Sequence, residues 1–262
     1  MTDFGADSSF AMATIKLQEH YGITIPVSGE RTITLHHAKQ IKRQLNQNVT
    51  NANKRSSKKD LRTRSGGTFI ISETDGSMIP IVVPKKSSAK NRKKSKEVMY
   101  KEARLTLAHA SNSDTTIFSA IIGEPTEVGK HIRFCIDKAG CGGNSRVHAV
   151  GNGAPWIADQ IEVQFGSQAK YLLDFYHASE YLAAASHECA TIEPVKWLHA
   201  QQQLLKCDKY EMVLNNLRNY ELEHEGNATY ACYYYLHKRK NQLHYADAIS
   251  NDLPIGSGEI YD

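Results

Sequence analysis

The alternation of apolar and polar positions divides the chain into a helical start, a middle of alternating strands and helices, and a helical end. In residues 8–45, apolar side chains recur at helical spacing up to Tyr21, and Gly22 is a suitable stop. A turn over 23–26 leads to a second predicted helix with Ser28 as N-cap and Ile33, His37 and Ile41 on one face. This outline fits both a DNA-reading helix-turn-helix and an ordinary helical hairpin.

From Gly67 onward the pattern predicts strands. The strand-like runs are 68–71 continued by 79–83, then 102–107, 116–122, 146–150 and 171–173. Helices are expected from Pro125 to Gly140, near 157–165, and beyond His177. Asp75-Gly76 is expected at or near a turn. The resulting order β-β-β-α-β-α-β-α is the ribonuclease-H-like order, an α/β fold with a mixed sheet covered by helices.

Residues 194–248 lack this alternation of strands and helices, and their pattern predicts a block of helices. Their leucines, Trp197 and Val213 recur at helical spacing, and the tyrosine-rich run Tyr230–Leu236 favours helix packing over base stacking.

Three polar residues follow predicted strands directly: Asp75, Asn152 and Asp174. The carboxyl ends of parallel strands are where open α/β sheets place their chemistry. Acidic residues converging there predict a two-metal site for phosphoryl transfer. Asn152 is an amide where such a site would use a carboxylate.

The net charge of +4 is unevenly distributed. The first basic stretch comprises Lys54, Arg55, Lys58, Lys59, Arg62 and Arg64, and the second comprises Lys85, Lys86, Lys90, Arg92, Lys93, Lys94 and Lys96. Dense like charge without an apolar period is typical of a loop, which is either a solvated linker or a contact for phosphate groups.

Composition narrows the class of protein. A chain of 262 residues with 40% hydrophobic content can bury a sizeable core in one or two domains. Five cysteines without a CxxC pair fit neither a disulfide framework nor a zinc ribbon, so we expect an intracellular protein. No apolar run has the length of a membrane span.

Short segments along nearly the whole chain resemble the transposases of ISKra-type bacterial insertion sequences, relatives of the Mutator-like DDE group. These segments are Asp3–Ala6, Glu19–Ile23, Arg31–Thr34, Asp75–Ser77, Glu102–Leu105, Val147–Trp156, Asp174–His177 with Glu180–Leu182, and Ile255–Glu259. Their order and combined extent make the resemblance specific.

The resemblance implies Mg²⁺-dependent cleavage and strand transfer at element ends, with Mn²⁺ as an alternative metal ion. It implies DNA as partner, namely terminal repeats and target DNA, a homo-oligomer on that DNA, and a bacterial cytoplasmic, nucleoid-associated location. The expected organisation is a helical DNA-binding region (1–50), a basic linker (51–66), a ribonuclease-H-like catalytic core (67–193), a helical insertion (194–250) and the start of a truncated final catalytic segment (251–262).

Carried over residue by residue, the first carboxylate of the DDE site is Asp75. Asn152 occupies the second position, and Asp75 and Asn152 are the expected metal ligands. Tyr261 occupies the third position, and Glu259 is a nearby, poorer substitute. Asp174 and His177 are expected to support the site or contact DNA; alternatively, Asp174 caps the next helix and His177 bonds nearby backbone.

Two of the three expected carboxylates are therefore absent, and we expect a transposase with impaired catalysis. Hard divalent ions bind through anionic oxygens, whereas Tyr261 is a neutral phenol at pH 7. A non-catalytic DNA-binding remnant or regulator of transposition is the alternative, and an unrelated ribonuclease-H-like nuclease is a third reading.

Overall fold

The computed structural model describes residues 2–55, 65–84, 96–220 and 226–258. The chain forms two compact units, Met1–Lys54 and Arg55–Asp262. Among the described residues, none of the helices has the length and apolarity needed to cross a membrane.

The first unit is made of helices α1 (Thr2–Asp7), α2 (Phe10–Tyr21) and most of α3 (Val27–Arg55). Ser9 caps α2 by accepting a hydrogen bond from the Met12 backbone N–H. The predicted stop is confirmed, because Gly22 adopts the left-handed conformation (φ 66°) and its N–H donates to the Gln18 carbonyl.

Helix α3 differs from its prediction at both ends. Ser28 is not its N-cap, because the helix begins at Val27 and the Pro26 carbonyl accepts the N–H groups of Gly29 and Glu30. The helix continues to Arg55, about 43 Å at 1.5 Å per residue, so its last turn takes up the start of the predicted basic linker. Polar residues alone do not end a helix, and no Gly or Pro occurs between 30 and 55.

In the described part of the second unit, five strands form one mixed sheet in the order β3-β2-β1-β4-β5. They are β1 (Phe69–Pro84), β2 (Lys96–Ala110), β3 (Ile117–Ile121), β4 (Arg146–Gly151) and β5 (Ala169–Leu173). The pairs β1–β2 and β2–β3 are antiparallel, whereas β1–β4 and β4–β5 are parallel. The predicted α/β class and the order of elements in this region are confirmed.

The turn predicted at Asp75-Gly76 is wrong. Strand β1 runs through both residues, with Asp75 paired with Leu105 and Gly76 with Arg104. The antiparallel partner β2 satisfies the backbone along all of β1, so an Asp-Gly pair has no need to turn. Gly76 also leaves room for the Glu102 side chain, which a Cβ at this position would strike.

Helices cover the sheet and form the rest of the unit. They are α4 (Pro125–Lys138), α5 (Pro155–Phe165), α6 (Phe175–Cys189), α7 (Pro194–Lys206), α8 (Tyr210–Arg218), α9 (Ala228–Lys238) and α10 (Tyr245–Ser250). Helices α4 and α5 pack against each other and the strands, while α6–α10 share the main hydrophobic core with β1, β4 and β5. Helix α6 begins at Phe175, so His177 lies inside it and not before it.

Candidate functional site

Strands β4 and β5 end at the same level of the sheet, which is also where β1 stops pairing with β4 and continues with β2 alone. Thr74 of β1 pairs with Gly151 of β4, and Gly151 pairs with Leu173 of β5. The next residue on each strand is one of the three polar residues Asp75, Asn152 and Asp174. Adjacent strands lie about 4.8 Å apart, so the register alone places these residues side by side.

Asp75 and Asn152 are joined by a hydrogen bond. The Asn152 Nδ2 donates to Asp75 Oδ1 at 2.6 Å, while Asn152 Oδ1 accepts the Ala154 backbone N–H at 3.0 Å. The orientation of the amide follows from chemistry: a backbone N–H can only donate, so the oxygen faces Ala154 and the NH₂ group faces the carboxylate. Asn152 therefore acts as a donor toward Asp75.

This arrangement does not fit a divalent cation held between Asp75 and Asn152. A Mg²⁺ or Mn²⁺ ion requires oxygen ligands, and here the group that faces Asp75 is an N–H donor. The amide oxygen is engaged by Ala154. Over the described ranges, no three His, Cys, Asp or Glu side chains are grouped so that they could hold a metal ion. Glu259 and Tyr261 lie outside the described residues.

Asp174 is buried, with 7% of its surface exposed, and both of its oxygens accept hydrogen bonds. Oδ1 accepts the backbone N–H groups of Tyr176 (2.7 Å) and His177 (3.0 Å), so the alternative that Asp174 caps helix α6 is confirmed. Oδ2 accepts both the N–H (2.7 Å) and the hydroxyl (2.5 Å) of Ser257. Asp174 thus binds the Gly-Ser-Gly segment to the end of β5.

Further contacts hold the segment 254–258 beside the strand ends. The Phe175 N–H donates to the Ile255 carbonyl at 2.8 Å, and His148 Nε2 donates to the Pro254 carbonyl at 2.8 Å. A Cβ on Gly256 would lie 2.5 Å from the Tyr176 ring, which explains the glycine. The role of Ser257 is not among the predictions from sequence, although the closely spaced Gly-Ser-Gly pattern is a signal for it.

The turn after β4 is held by side chains from distant parts of the chain. Gly153 has φ 80°, a conformation that favours glycine, and its N–H donates to the Tyr171 hydroxyl at 3.1 Å. Tyr235 of α9 and Arg239, the C-cap of that helix, donate to the carbonyls of Asn152 and Gly153. No local pattern predicts these two contacts, since more than 80 residues separate the two donors from the turn.

His177 and Trp156 lie near the turn without a ligand-like arrangement. The His177 ring lies edge-on to Tyr181 and Tyr235, and its Nδ1 is 3.3 Å from Glu180 Oε2. Trp156 stacks under the Arg104 guanidinium, 4.7 Å from ring centroid to Cζ. Asp174 therefore contacts Ser257 and the start of α6, and His177 contacts Tyr235. A role of His177 in DNA contact stays a prediction.

Of the predicted DNA-binding residues, Lys54 and Arg55 lie in the last turn of α3 and not in a loop. The others, Lys58, Lys59, Lys85, Lys86, Arg92, Lys93 and Lys94, lie outside the described residues. The second basic stretch connects the far ends of β1 and β2. There the two strands form a ribbon (77–84 with 96–103) that pairs with neither β4 nor β3 and exposes Met78, Val82, Val98 and Tyr100.

Comparisons with known proteins add no assignment to this geometry. Neither a protein-family model nor a curated protein matches the chain.

Proposed function

We propose that this chain is a DNA transposase of the DDE type, encoded by an insertion sequence, in which Mg²⁺-dependent cleavage and strand transfer of element ends are impaired. Its support comes from the transposase-like segments of the sequence and from the geometry at the ends of β4 and β5 beside Asp75 of β1.

The fold supports a ribonuclease-H-like catalytic domain. An antiparallel unit β1-β2-β3 is followed by parallel strands β4 and β5, with helices between them, which agrees with the arrangement that the resemblance implies. In this reading, helices α7–α10 correspond to the insertion that separates the fifth strand from the last catalytic segment.

The observation that carries the proposal is the hydrogen bond between Asp75 and Asn152. The resemblance assigns these residues to the first two ligand positions, and the register brings them together although 77 residues separate them. If Asp75 and Asn152 did not belong to one ancestral site, nothing would require them to lie side by side where β1 and β4 stop pairing.

The same hydrogen bond explains the impairment. Two metal ions close together need anionic ligands to neutralise their charge, and Asn152 contributes none. Its NH₂ group also faces Asp75 Oδ1, the oxygen that a cation shared by the two residues would bind. Because every 1.4 kcal/mol of lost transition-state stabilisation lowers a rate about tenfold, the loss of one ligand charge reduces activity by orders of magnitude.

DNA binding is the part of the function that this substitution leaves intact. The two basic stretches supply positive charge for phosphate contacts, and the ribbon that carries the second stretch has the shape of a two-stranded element that fits a major groove. The helical unit would bind terminal repeats, and the chain would act as a homo-oligomer on DNA at the bacterial nucleoid.

Cleavage assays test the proposal directly. The purified chain is incubated with duplexes carrying the element ends and either Mg²⁺ or Mn²⁺, and we expect no detectable cleavage or strand transfer. Asn152→Asp combined with Tyr261→Glu supplies both missing carboxylates and should restore measurable activity, while Asn152→Ala with Tyr261→Glu, the matched control, should not. Efficient strand transfer by the unaltered chain would refute the impairment.

A non-catalytic DNA-binding protein that regulates transposition is the second candidate. It is favoured by the satisfied hydrogen bonding of Asn152 and Asp174, which leaves both residues serving structural roles. End-specific binding with strong salt dependence, together with inactivity of the Asn152→Asp, Tyr261→Glu double variant, would favour it. Binding that is indifferent to the terminal sequence would count against both candidates.

A further inference from the structure

The carbonyl groups of the turn that follows β4 are both bound by one helix. The Tyr235 hydroxyl donates to the Asn152 carbonyl at 2.8 Å, and Arg239 Nε donates to the Gly153 carbonyl at 2.8 Å. These residues lie one helical turn apart at the end of α9, so they present their donors to consecutive peptide groups.

The two donors are themselves held in place. The Tyr235 ring stacks on Tyr181 with centroids 3.9 Å apart and an angle of 8°, and the Arg239 guanidinium carbon lies 3.9 Å from the Tyr235 centroid. Two groups this close must lie on opposite faces of the ring, so the ring is enclosed between them. Arg239 also donates to the Tyr235 carbonyl at 3.0 Å.

The space around Gly153 shows how closely α9 approaches the turn. A Cβ at this position would lie 2.6 Å from Arg239 Nε and 2.7 Å from the Tyr235 hydroxyl. Only a glycine allows both side chains to reach the backbone. On the other side, the Tyr171 hydroxyl accepts the Gly153 N–H at 3.1 Å, so three side chains bind three backbone groups of the turn.

The Tyr235 hydroxyl, which donates, and the Tyr171 hydroxyl, which accepts, both remain protonated over the physiological range. Burial raises the pKa of Tyr235 well above its usual value of about 10, and burial does the same to the pKa of Tyr171. Arg239 stays charged at any relevant pH. The three contacts are therefore permanent features of the folded chain near neutral pH.

We propose that helix α9 is a positioning element for the strand-end site, in which Tyr235 and Arg239 fix the Asn152–Gly153 turn and so direct the Asn152 side chain onto Asp75. The side chain of a residue follows from its backbone. The peptide group after Asn152 is bound by Tyr235 and Tyr171, and Arg239 binds the next carbonyl. The peptide group before Asn152 is held at the end of β5, where the Asp174 N–H donates to the Gly151 carbonyl at 2.8 Å. Helix α9 thus acts on the site through the turn and not by touching the reacting groups.

The biological meaning of this positioning role rests on the proposed function, but the experiment that tests it requires neither DNA nor metal. The side-chain NH₂ signals of Asn152 are followed in ¹H–¹⁵N spectra and assigned by their loss in Asn152→Asp. Tyr235→Phe removes one hydroxyl and keeps the ring stack, and Arg239→Lys keeps the charge and loses the planar donor fork. We expect both variants to shift these signals and to accelerate their hydrogen exchange about tenfold, which corresponds to about 1.4 kcal/mol, the scale of one hydrogen bond.

Two matched controls distinguish a specific effect on the Asn152–Gly153 turn from a general loss of stability. Tyr181→Phe keeps the ring that stacks on Tyr235, and Arg218→Lys alters a second Arg–Tyr pair, Arg218 Nε to the Tyr233 hydroxyl at 2.7 Å, that does not contact the turn. Both should leave the Asn152 signals in place. If the Tyr235 and Arg239 variants leave these signals unchanged, or if the controls shift them equally at matched stability, the positioning role is wrong.

A second measurement distinguishes this inference from the proposed function. In an Asn152→Asp background, Tyr235→Phe should weaken Mn²⁺ binding about tenfold, measured by calorimetry. If Asn152→Asp binds no Mn²⁺ at all, the assignment of the metal position fails, whereas the signals of Asn152 in the otherwise unaltered chain still decide the role of α9.

Discussion

Replacing Asn152 by aspartate converts a hydrogen-bond donor into a second negative charge beside Asp75. The two facing atoms are 2.6 Å apart in the folded chain. The substitution removes a hydrogen bond to a carboxylate, worth about 1.5–3 kcal/mol, and replaces it with a repulsion. Two like charges about 4 Å apart repel by about 4 kcal/mol at an effective dielectric constant of about 20.

The variant has one way to reduce this repulsion without metal, which is to take up a proton. At pH 7, protonating a carboxyl with the ordinary aspartate pKa of about 3.9 costs about 4 kcal/mol, so both the doubly charged pair and the protonated pair are unfavourable. Both residues are half-buried, and solvent reduces the repulsion, so we expect the free energy of unfolding to fall by about 3 kcal/mol. For a unit of about 200 residues, the melting temperature then falls by about 6–12 °C.

Acid and divalent cations should each reverse the loss. The pair in the variant binds a proton more tightly in the folded than in the unfolded chain, so its stability rises as the pH falls toward about 4.5. A cation that binds only the folded variant stabilises it by about 2.7 kcal/mol at 100 times its dissociation constant. The unaltered chain should show neither effect at this site.

The assay is thermal unfolding in EDTA, Mg²⁺ and Mn²⁺ at pH 7 and pH 4.5, with Asn152→Ala as the control. The alanine variant loses the hydrogen bond without gaining charge, so it should be destabilised but indifferent to cations. If Asn152→Asp is no less stable than Asn152→Ala in EDTA, or if Mn²⁺ stabilises the unaltered chain equally, the hydrogen bond does not replace a metal position.

Three further predictions concern the surroundings of the site. Ser257→Ala removes the hydroxyl donor to Asp174 Oδ2 and keeps the backbone N–H donor. It should lower the free energy of unfolding by about 1.5–3 kcal/mol in chemical denaturation, whereas a change below about 0.5 kcal/mol would mean that the segment is held without the hydroxyl. Burial lowers the pKa of His148, so the contribution of His148 to stability is present above about pH 6.5 and is lost as the pH falls below that value. The variant His148→Gln can still donate to the Pro254 carbonyl and should reduce this pH dependence, which is measured by unfolding from pH 8 to 5. Neutralising five charges of the second basic stretch should reduce the slope of log K against log salt by up to about 0.9 per contact, while neutralising the five lysines of residues 194–240 should leave the slope unchanged. The five charges are Lys85, Lys86, Arg92, Lys93 and Lys94.

Local patterns predicted the elements of the second unit well, because each element there has a local cause. Proline at the first turn starts α4 and α5, and short apolar runs bounded by polar residues mark β3, β4 and β5. The predictions failed where a distant partner overrides a local signal. Asp75-Gly76 resembles a turn, yet β2 pairs across it, and α3 continues past its last apolar contact because nothing interrupts it.

The position of Asn152 shows the same division. The sequence by itself determined that an amide follows β4 and that its motif resembles the second ligand position of a DDE site. It could not determine what the amide does. Strand register brings Asp75 to the amide, and helix packing brings Tyr235 and Arg239 to the backbone of Asn152 and Gly153, over 77 residues and more.

The sequence also marked Asp174 and the Gly-Ser-Gly segment as separate motifs. Only the tertiary structure joins them, since the buried carboxylate of Asp174 needs donors and Ser257 supplies two of the four that it accepts. Residue type and local spacing are thus properties of the sequence itself. Which donor meets which acceptor is decided by the fold, because a buried polar group must find its partner wherever the backbone brings one within reach.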